Sequence, residues 1–315
     1  MDPKHGGWNS KFCISRHSRV LAEKSQPFIS VIVPVFNNAD GIALLLGALE
    51  SQSYDNLKYE VIIVDNGSQD GTYEVASLFA DKSETTIKVV QELAVGAYAA
   101  RNKGVSEASG EILAFTDSDC VPTPTWIERG AASLASSTAD GAAGAVEFTF
   151  IGERANAYEF LDSANKLAQE TYVTKLGFAA TANFIVRKVA VEDLGGFDSN
   201  LRSGGDYELG QRLTASGREL IYVGDAVVQH PARSTFREII QKNIRVAGGQ
   251  YALRKQGKLK HGSFSWKNFF PPLTMPRDVR WDTELSFIDK LKVRGTLTVG
   301  RYVNLYVRLF GGSAR

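Results

Sequence analysis

Four apolar runs, each breaking off at a cluster of polar side chains, constrain this chain more than any other feature. They are Phe28-Ile29-Ser30-Val31-Ile32-Val33-Pro34-Val35, Tyr59-Glu60-Val61-Ile62-Ile63-Val64, Ile87-Lys88-Val89-Val90 and Glu111-Ile112-Leu113-Ala114-Phe115-Thr116. Rich in β-branched residues and hardly alternating with polar ones, they suit strands covered on both faces, as in a parallel sheet. The segments between them read as helices: Ile42, Leu45, Leu46 and Leu49 at helical spacing, then Thr72 to Phe79, then Tyr98 to Ala108. Strands alternating with helices predict right-handed βαβ units and an α/β class. In such sheets ligands bind beyond the carboxyl ends of the strands. Asn37, Asp65-Asn66 and Asp117-Ser118-Asp119 all fall there.

Beyond Gly144 the pattern loosens into a strand, a helix from Ala155 to Lys166 and the strand-like Asn183-Phe184-Ile185-Val186. Residues 1–27 are polar, basic and aperiodic, and predict a flexible arm. The length of 315 residues allows one large α/β domain with appendages or two modest domains. No uninterrupted apolar stretch is long enough for a membrane span, and the N-terminus lacks the apolar run of a signal peptide. Two cysteines, Cys13 and Cys120, make neither a disulfide framework nor a zinc spacing and are given no role. A reducing, cytoplasmic setting follows as the expectation.

The net charge of +1 argues against a nucleic-acid binder with a basic surface throughout. It conceals an asymmetry. Residues 231–315 hold 17 Lys/Arg against 5 Asp/Glu, a net of +12, which leaves −11 for residues 1–230. Within the basic part, Phe236, Ile239, Ile240 and Ile244 share a face of a helix from Thr235 to Ala247, with Arg233, Arg237, Lys242 and Arg245 about it. Leu291 to Phe310 is similarly amphipathic, and the aromatic stretch Trp266 to Pro272 lies between. Peripheral contact with an anionic membrane, a lipid diphosphate acceptor, and plain packing against the core or a second copy are the open readings of this tail.

Asp117-Ser118-Asp119 places two carboxylates at a strand end, where they can hold a hard divalent cation that in turn grips a diphosphate. D-x-D alone is also common in turns. In order along the chain stand Val33-Pro34-Val35-Phe36-Asn37, Val64-Asp65-Asn66-Gly67-Ser68-Gln69-Asp70-Gly71-Thr72, Gly96-Ala97-Tyr98-Ala99-Ala100-Arg101-Asn102-Lys103-Gly104 and Asp117-Ser118-Asp119. Gly195-Gly196-Phe197-Asp198, Gly205-Asp206-Tyr207-Glu208-Leu209 with Arg212, and Val228-Gln229-His230 follow. The set, spanning roughly residues 28–235, resembles a family 2 inverting glycosyltransferase of the GT-A fold.

The resemblance implies a single GT-A domain, Rossmann-like with a mainly parallel mixed sheet, at 28–235. Residues 28–120 would be its nucleotide-binding half and 121–235 its acceptor-binding half, with a basic helical extension at 236–315. It implies a donor site of Pro34, Phe36, Asp65, Asn66, Arg101, Asp117 and Ser118, with Asp65 or Asn66 reading the base and Arg101 a base carbonyl or diphosphate oxygen. Asp119 and His230 would hold Mn²⁺ or Mg²⁺, since carboxylate and imidazole both suit Mn²⁺. Asp206 would be the general base, with Glu208 in reserve, and Asp198 with Thr181-Ala182-Asn183 would line the acceptor side. The expected reaction moves a sugar from a nucleotide-sugar, UDP-linked for preference, to a hydroxyl of a glycan or lipid-linked saccharide. The family often has Asp-Asp where this chain has Asp65-Asn66, and Glu-Asp where it has Gly205-Asp206. The alternatives are a sugar nucleotidyltransferase, which would carry a Gly-rich basic loop after the first strand, and a non-catalytic carbohydrate-binding relative, which would have lost the acidic set. An NAD enzyme is disfavoured because no G-x-G-x-x-G follows a strand.

Overall fold

The computed structural model describes residues 26–164, 167–259 and 285–311. Residues 1–25, most of the expected arm, and the aromatic stretch Trp266 to Pro272 lie outside the described residues. The first half runs β1 (Ile29–Val35), α1 (Ala39–Glu50), β2 (Tyr59–Asp65), α2 (Thr72–Ala80), β3 (Thr86–Gln91), α3 (Ala97–Glu107) and β4 (Ile112–Thr116). The second half runs β5 (Val121–Pro122), α4 (Trp126–Ala135), β6 (Gly141–Thr149), α5 (Ala157–Ala164), α6 (Gln169–Leu176), β7 (Asn183–Arg187), α7 (Lys188–Glu192), α8 (Gly205–Ala215) and β8 (Leu220–Pro231). Two long helices follow, α9 (Phe236–Lys255) and α10 (Phe287–Phe310).

The described strands form one sheet in the order β3-β2-β1-β4-β7-β6-β8-β5. Its first half is parallel as the pattern predicts, β1 pairing with β2 and β4, and β2 with β3. The second half is mixed. β7 runs antiparallel between β4 and β6, β6 is parallel to β8, and the short β5 is antiparallel to β8.

Successive side chains of a strand point to opposite faces, and both faces of this sheet are covered. Val31, Val33, Val61, Ile63 and Ala114 pack under Leu45, Leu46 and Leu49 of α1 and Trp126, Ile127 and Leu134 of α4. Ile32, Ile62, Val64, Leu113 and Phe115 pack on the other face beneath Ala100 and Val105 of α3 and Leu209 and Leu213 of α8. Continuous rather than alternating apolar runs are what a sheet between two helical layers requires.

Asn183 joins the two halves. Its side chain is fully buried; Oδ1 accepts from the Trp126 indole N–H at 2.8 Å, and Nδ2 donates to the carbonyls of Ala145 at 2.7 Å and Ala226 at 2.9 Å. These contacts sit where the β6 and β8 register shifts between Gly144 and Ala145. Of the residues expected on the acceptor side, Thr181 and Ala182 form a buried turn, and Asn183 is the first residue of β7 and a brace inside the sheet. Asn183→Ala strands an indole N–H and two carbonyls without partners, and denaturant unfolding is expected to show a loss of about 2–4 kcal/mol.

The basic extension is built into the body. Thr235 and Glu238 form a capping box that starts α9, and the helix continues past the expected Ala247 to Lys255. Ile239 joins Ala157 and Leu161 of α5 and Val293 of α10 in a small third core, whereas Leu253 belongs to the second. A Cβ at Gly249 would lie 2.4 Å from the Ser203 carbonyl oxygen, so only glycine lets α9 approach the loop before α8 this closely. Part of the tail's charge neutralises the acidic body. Asp162 pairs with Arg233 at 3.1 Å and Lys242 at 2.7 Å, and Lys258 lies 2.8 Å from Glu208 and 3.5 Å from Asp198. Burial alone would raise the Asp162 carboxyl; Lys242 and Arg233 outweigh it and hold it below the ordinary carboxylate range.

Candidate active site

Loops at the carboxyl ends of β1, β2 and β4 meet because these strands are parallel neighbours. Their side chains are tied to one another. The backbone N–H of Asn37 donates to Ser68 Oγ at 2.9 Å, and its Oδ1 accepts from the Gln69 N–H at 2.8 Å. Those bonds hold Asn37 at a φ of 48°, a left-handed conformation uncommon outside glycine. Asn38 caps α1 through its Oδ1 and donates from Nδ2 to Ser118 Oγ at 3.1 Å, joining the first loop to the Asp-Ser-Asp loop.

Pro34 lies in the buried strand, while Phe36 just beyond it is 60 % exposed. Asp65 is buried and accepts from the backbone N–H groups of Gly67 and Ser68 at 3.2 Å or slightly more, an Asx turn. Asn66 departs from the expected base contact. Its Nδ2 donates to the carbonyls of Glu92 and Ala94 and its Oδ1 accepts from the Gly96 N–H, so the amide braces the loop ahead of α3.

On α3, Arg101 is almost fully buried, and its Nη2 meets Asp117 Oδ1 at 2.5 Å. The guanidinium lies over the Tyr98 ring at 5.5 Å, a cation–π geometry, and its buried Nε has no hydrogen-bond partner among the described residues. Tyr98 in turn reaches Asp206 Oδ1 with its hydroxyl at 3.5 Å. A connected line therefore runs from Asp117 through Arg101 and Tyr98 to Asp206.

Asp206 stands in the first turn of α8, two residues after the cap position, which Gly204 takes. Its Oδ1 accepts from the Tyr207 N–H at 2.9 Å. Burial, with a smaller contribution from Asp117, pushes its carboxyl above the ordinary value despite the opposing pull of the Tyr207 N–H and Arg101. A Cβ at Gly205 would come within 2.7 Å of the Tyr98 ring, which accounts for glycine at this place. Glu208, by contrast, is buried and held by Arg212 in three contacts of 2.7–3.1 Å and by Lys258 at 2.8 Å. Burial would raise its carboxyl, but these cations hold it below its ordinary value. As an ion-paired brace it is not placed to serve as a reserve base. Asp198 accepts from Asn200 within its own loop and faces Lys258.

The short β5 pairs Val121 with Gln229, so the chain brings Asp119 and Cys120 against the next residue of β8, His230. His230 Nε2 lies 3.7 Å from Asp119 Oδ2. Small divalent cations bind at about 2.1 Å per ligand, so two ligands of one ion can sit up to about 4 Å apart. His230 Nδ1 is 2.8 Å from the Pro231 carbonyl, which can take an N–H from that nitrogen and leave the Nε2 lone pair toward Asp119. The carboxylate and imidazole therefore fit Mn²⁺. Cys120 completes a group of three whose ligand atoms lie within 4.8 Å of one another. Buried, and with Asp117 and Asp119 nearby, its thiol is pushed well above its ordinary value and is a poor partner for a hard ion. A lone cysteine carries no sequence signal; adjacency to Asp119 is the clue that would have flagged it.

A family model described as "Glycosyl transferase family 2" matches residues 30–195, more than half of the chain. Glycosyltransferase AglE of Haloferax volcanii is 42% identical over 224 residues, 71% of this chain and 73% of that protein. Pre-mycofactocin glycosyltransferase of Mycobacterium tuberculosis is 31% identical over 238 residues, 74% of this chain but only 48% of that longer protein. Among solved structures, the mannosyltransferase PcManGT from Pyrobaculum calidifontis, in complex with GDP-Man and Mn²⁺, superposes with a TM-score of 0.60 at 21% identity, covering 92% of this chain and 77% of that one. S. aureus TarS 1-349 in complex with UDP gives 0.52 at 21% identity over 70% of this chain and 64% of that one. The fold is that of the GT-A glycosyltransferases. With its family model, its relatives and its sheet in agreement, this chain belongs to glycosyl transferase family 2.

Proposed function

We propose that this glycosyltransferase is inverting and metal-dependent, moving a sugar from a UDP-sugar to a hydroxyl of a glycan or lipid-linked saccharide. The observation that carries the reading is the line Asp206–Tyr98–Arg101–Asp117, with the Asp119–His230 pair two residues beyond it. Residues 28–120 supply the donor side: Phe36 and Pro34 wall the base, Asp65 and Asp117 meet base and ribose, and Ser118 holds its loop to Asn38. The buried Nε of Arg101 is the unspent donor on this side. The acceptor side comes from residues 121–235, above all the start of α8.

Asp119 and His230 would hold the cation, whose contribution when bound is to neutralise the leaving diphosphate. Asp206 takes the proton of the acceptor hydroxyl as its oxygen bonds to the anomeric carbon and the bond to the diphosphate breaks. A carboxylate made more basic by burial is better matched to that task. The Tyr98 hydroxyl fixes which oxygen of Asp206 is turned to the cleft.

A thermal-shift panel of UDP, GDP, CDP and ADP, each with and without Mn²⁺, tests the donor. UDP with Mn²⁺ is expected to raise the midpoint most, since a ligand at a hundred times its Kd adds about 2.7 kcal/mol of stability. A larger shift with GDP would overturn the base assignment. Equal shifts from all nucleotides would overturn the donor site.

A further inference from the structure

We propose that the outward face of α10 lies on the surface of an anionic lipid bilayer. The helix is 24 residues long and buries a single narrow stripe, Val293, Thr296, Gly300 and Val307, against the rest of the protein. This stripe is what holds it to α9 and α5: Val293 enters the third core, and a Cβ at Gly300 would lie 2.6 Å from Asn243 Nδ2 of α9. The opposite side is also apolar. Phe287, Ile288, Leu291, Val299, Tyr306 and Phe310 are between 39 % and 76 % exposed. At about 100° per residue they fall on one half of the helix, a strip about 36 Å long at 1.5 Å per residue.

Charge names the occupant. The helix carries Lys290, Lys292, Arg294, Arg301 and Arg308 against the single acid Asp289. Lys290 and Arg294, four residues apart, follow one border of the apolar strip; Lys292 lies on the other, where it is paired with Asp289 at 3.2 Å. Large apolar and tyrosine side chains between cationic borders are the complement of acyl chains beneath anionic headgroups. A second protein surface would need to match both the strip and its basic margins; a lipid interface supplies both everywhere. Among the described residues no helix is long and apolar enough to cross a membrane, so the contact is one of lying on the surface.

The placement also serves the site. β6 and β8 run parallel and end at Thr149 and Pro231, beside His230. α5 and α9 begin at Ala157 and Phe236, a few residues after those ends, and α10 packs on both. A bilayer under α10 therefore meets the protein at the end of the sheet that holds the site, where a lipid-linked acceptor would present its hydroxyl. That last link rests on the transferase reading above; the docking does not.

Flotation of the full chain with vesicles of phosphatidylcholine alone, and of phosphatidylcholine with phosphatidylglycerol, tests it. Partitioning is expected only with the anionic vesicles, and is expected to fall roughly tenfold or more at high salt. The variant Leu291→Ser/Val299→Ser/Tyr306→Ser is expected to lose partitioning, whereas Leu44→Ser/Leu78→Ser, which changes exposed leucines of α1 and α2, keeps it. The variant Lys290→Gln/Lys292→Gln/Arg294→Gln alters only the charged borders of the strip and is expected to lose the preference for anionic lipid. Nucleotide-induced thermal shifts, measured on every variant, are expected to be unchanged. Partitioning that persists where no nucleotide shift is seen would support the docking and count against the transferase reading. Absence of partitioning by the parent chain, equal partitioning by the apolar-strip variant, or a strip-dependent dimer that never floats would overturn the proposal.

Discussion

Replacing Asp206 with Asn is expected to lower nucleotide release from UDP-sugars by about a thousandfold, within the 10²–10⁴ that a positioned general base contributes. The substitution keeps the size of the side chain and an oxygen to accept from the Tyr207 N–H, which Asp206 Oδ1 does at 2.9 Å. It removes the negative charge and with it the capacity to take a proton. The start of α8 should stay in place, because it is set by Gly204 in a left-handed conformation, by Tyr98 against Gly205 and by α9 behind Ser203. The UDP and Mn²⁺ thermal shift should therefore be retained. In the parent enzyme the rate should rise with pH as Asp206 ionises. Burial raises that carboxyl, so the acid limb should lie above the ordinary Asp value of about 4 and not at it. A variant with unchanged turnover, or a limb at the ordinary value, would remove Asp206 as the base.

The second large effect is expected at Asp119. Its carboxylate is partly exposed, and Oδ2 is turned to His230 Nε2 at 3.7 Å, so Asp119→Ala should leave folding almost untouched. What it removes is one of two ligands. The Mn²⁺-dependent part of the UDP thermal shift should vanish, and turnover should fall at least a hundredfold, since the anionic diphosphate would then leave without its counter-charge. His230→Asn should show the same pattern more weakly, because imidazole is neutral and Asp119 supplies the charge. An Asp119→Ala variant whose UDP shift still responds fully to Mn²⁺ would move the ion elsewhere.

How much of this was legible in the sequence depends on the range of the interaction. The strands β1 to β4 and the clusters at Asn37, Asp65 and Asp117 were readable, because continuous β-branched runs and the polar residues after them are local signals. The antiparallel placement of β7, and the pairing of β6 with β8 across a register shift, were not. They depend on Asn183 reaching Trp126, Ala145 and Ala226, residues far away in sequence. The same limit explains Asn66 and Glu208. As residue types both suit a binding site, yet one is committed to the loop before α3 and the other to Arg212 and Lys258.

Gly205 is a departure that makes sense only in three dimensions. In sequence it looks like the loss of an acidic neighbour; in the fold it makes room for Tyr98, which connects Asp206 to Arg101 and through it to Asp117. The basic tail divides similarly. Arg233, Lys242 and Lys258 neutralise buried carboxylates of the body, so part of the +12 is internal structure. α9 is amphipathic in the ordinary sense, but α10 is apolar on two sides, and periodicity alone does not tell which side faces the protein.

The central claim is that Asp119 and His230 hold one divalent cation together with a nucleoside diphosphate, within reach of Asp206. Titrating Mn²⁺ into the protein and following the free-ion electron paramagnetic resonance signal tests it most directly. With UDP present, one Mn²⁺ per chain is expected to bind, at least tenfold more tightly than without UDP, and Asp119→Ala is expected to abolish that gain. Mn²⁺ binding that UDP does not strengthen, or that survives unchanged in Asp119→Ala, would contradict the account.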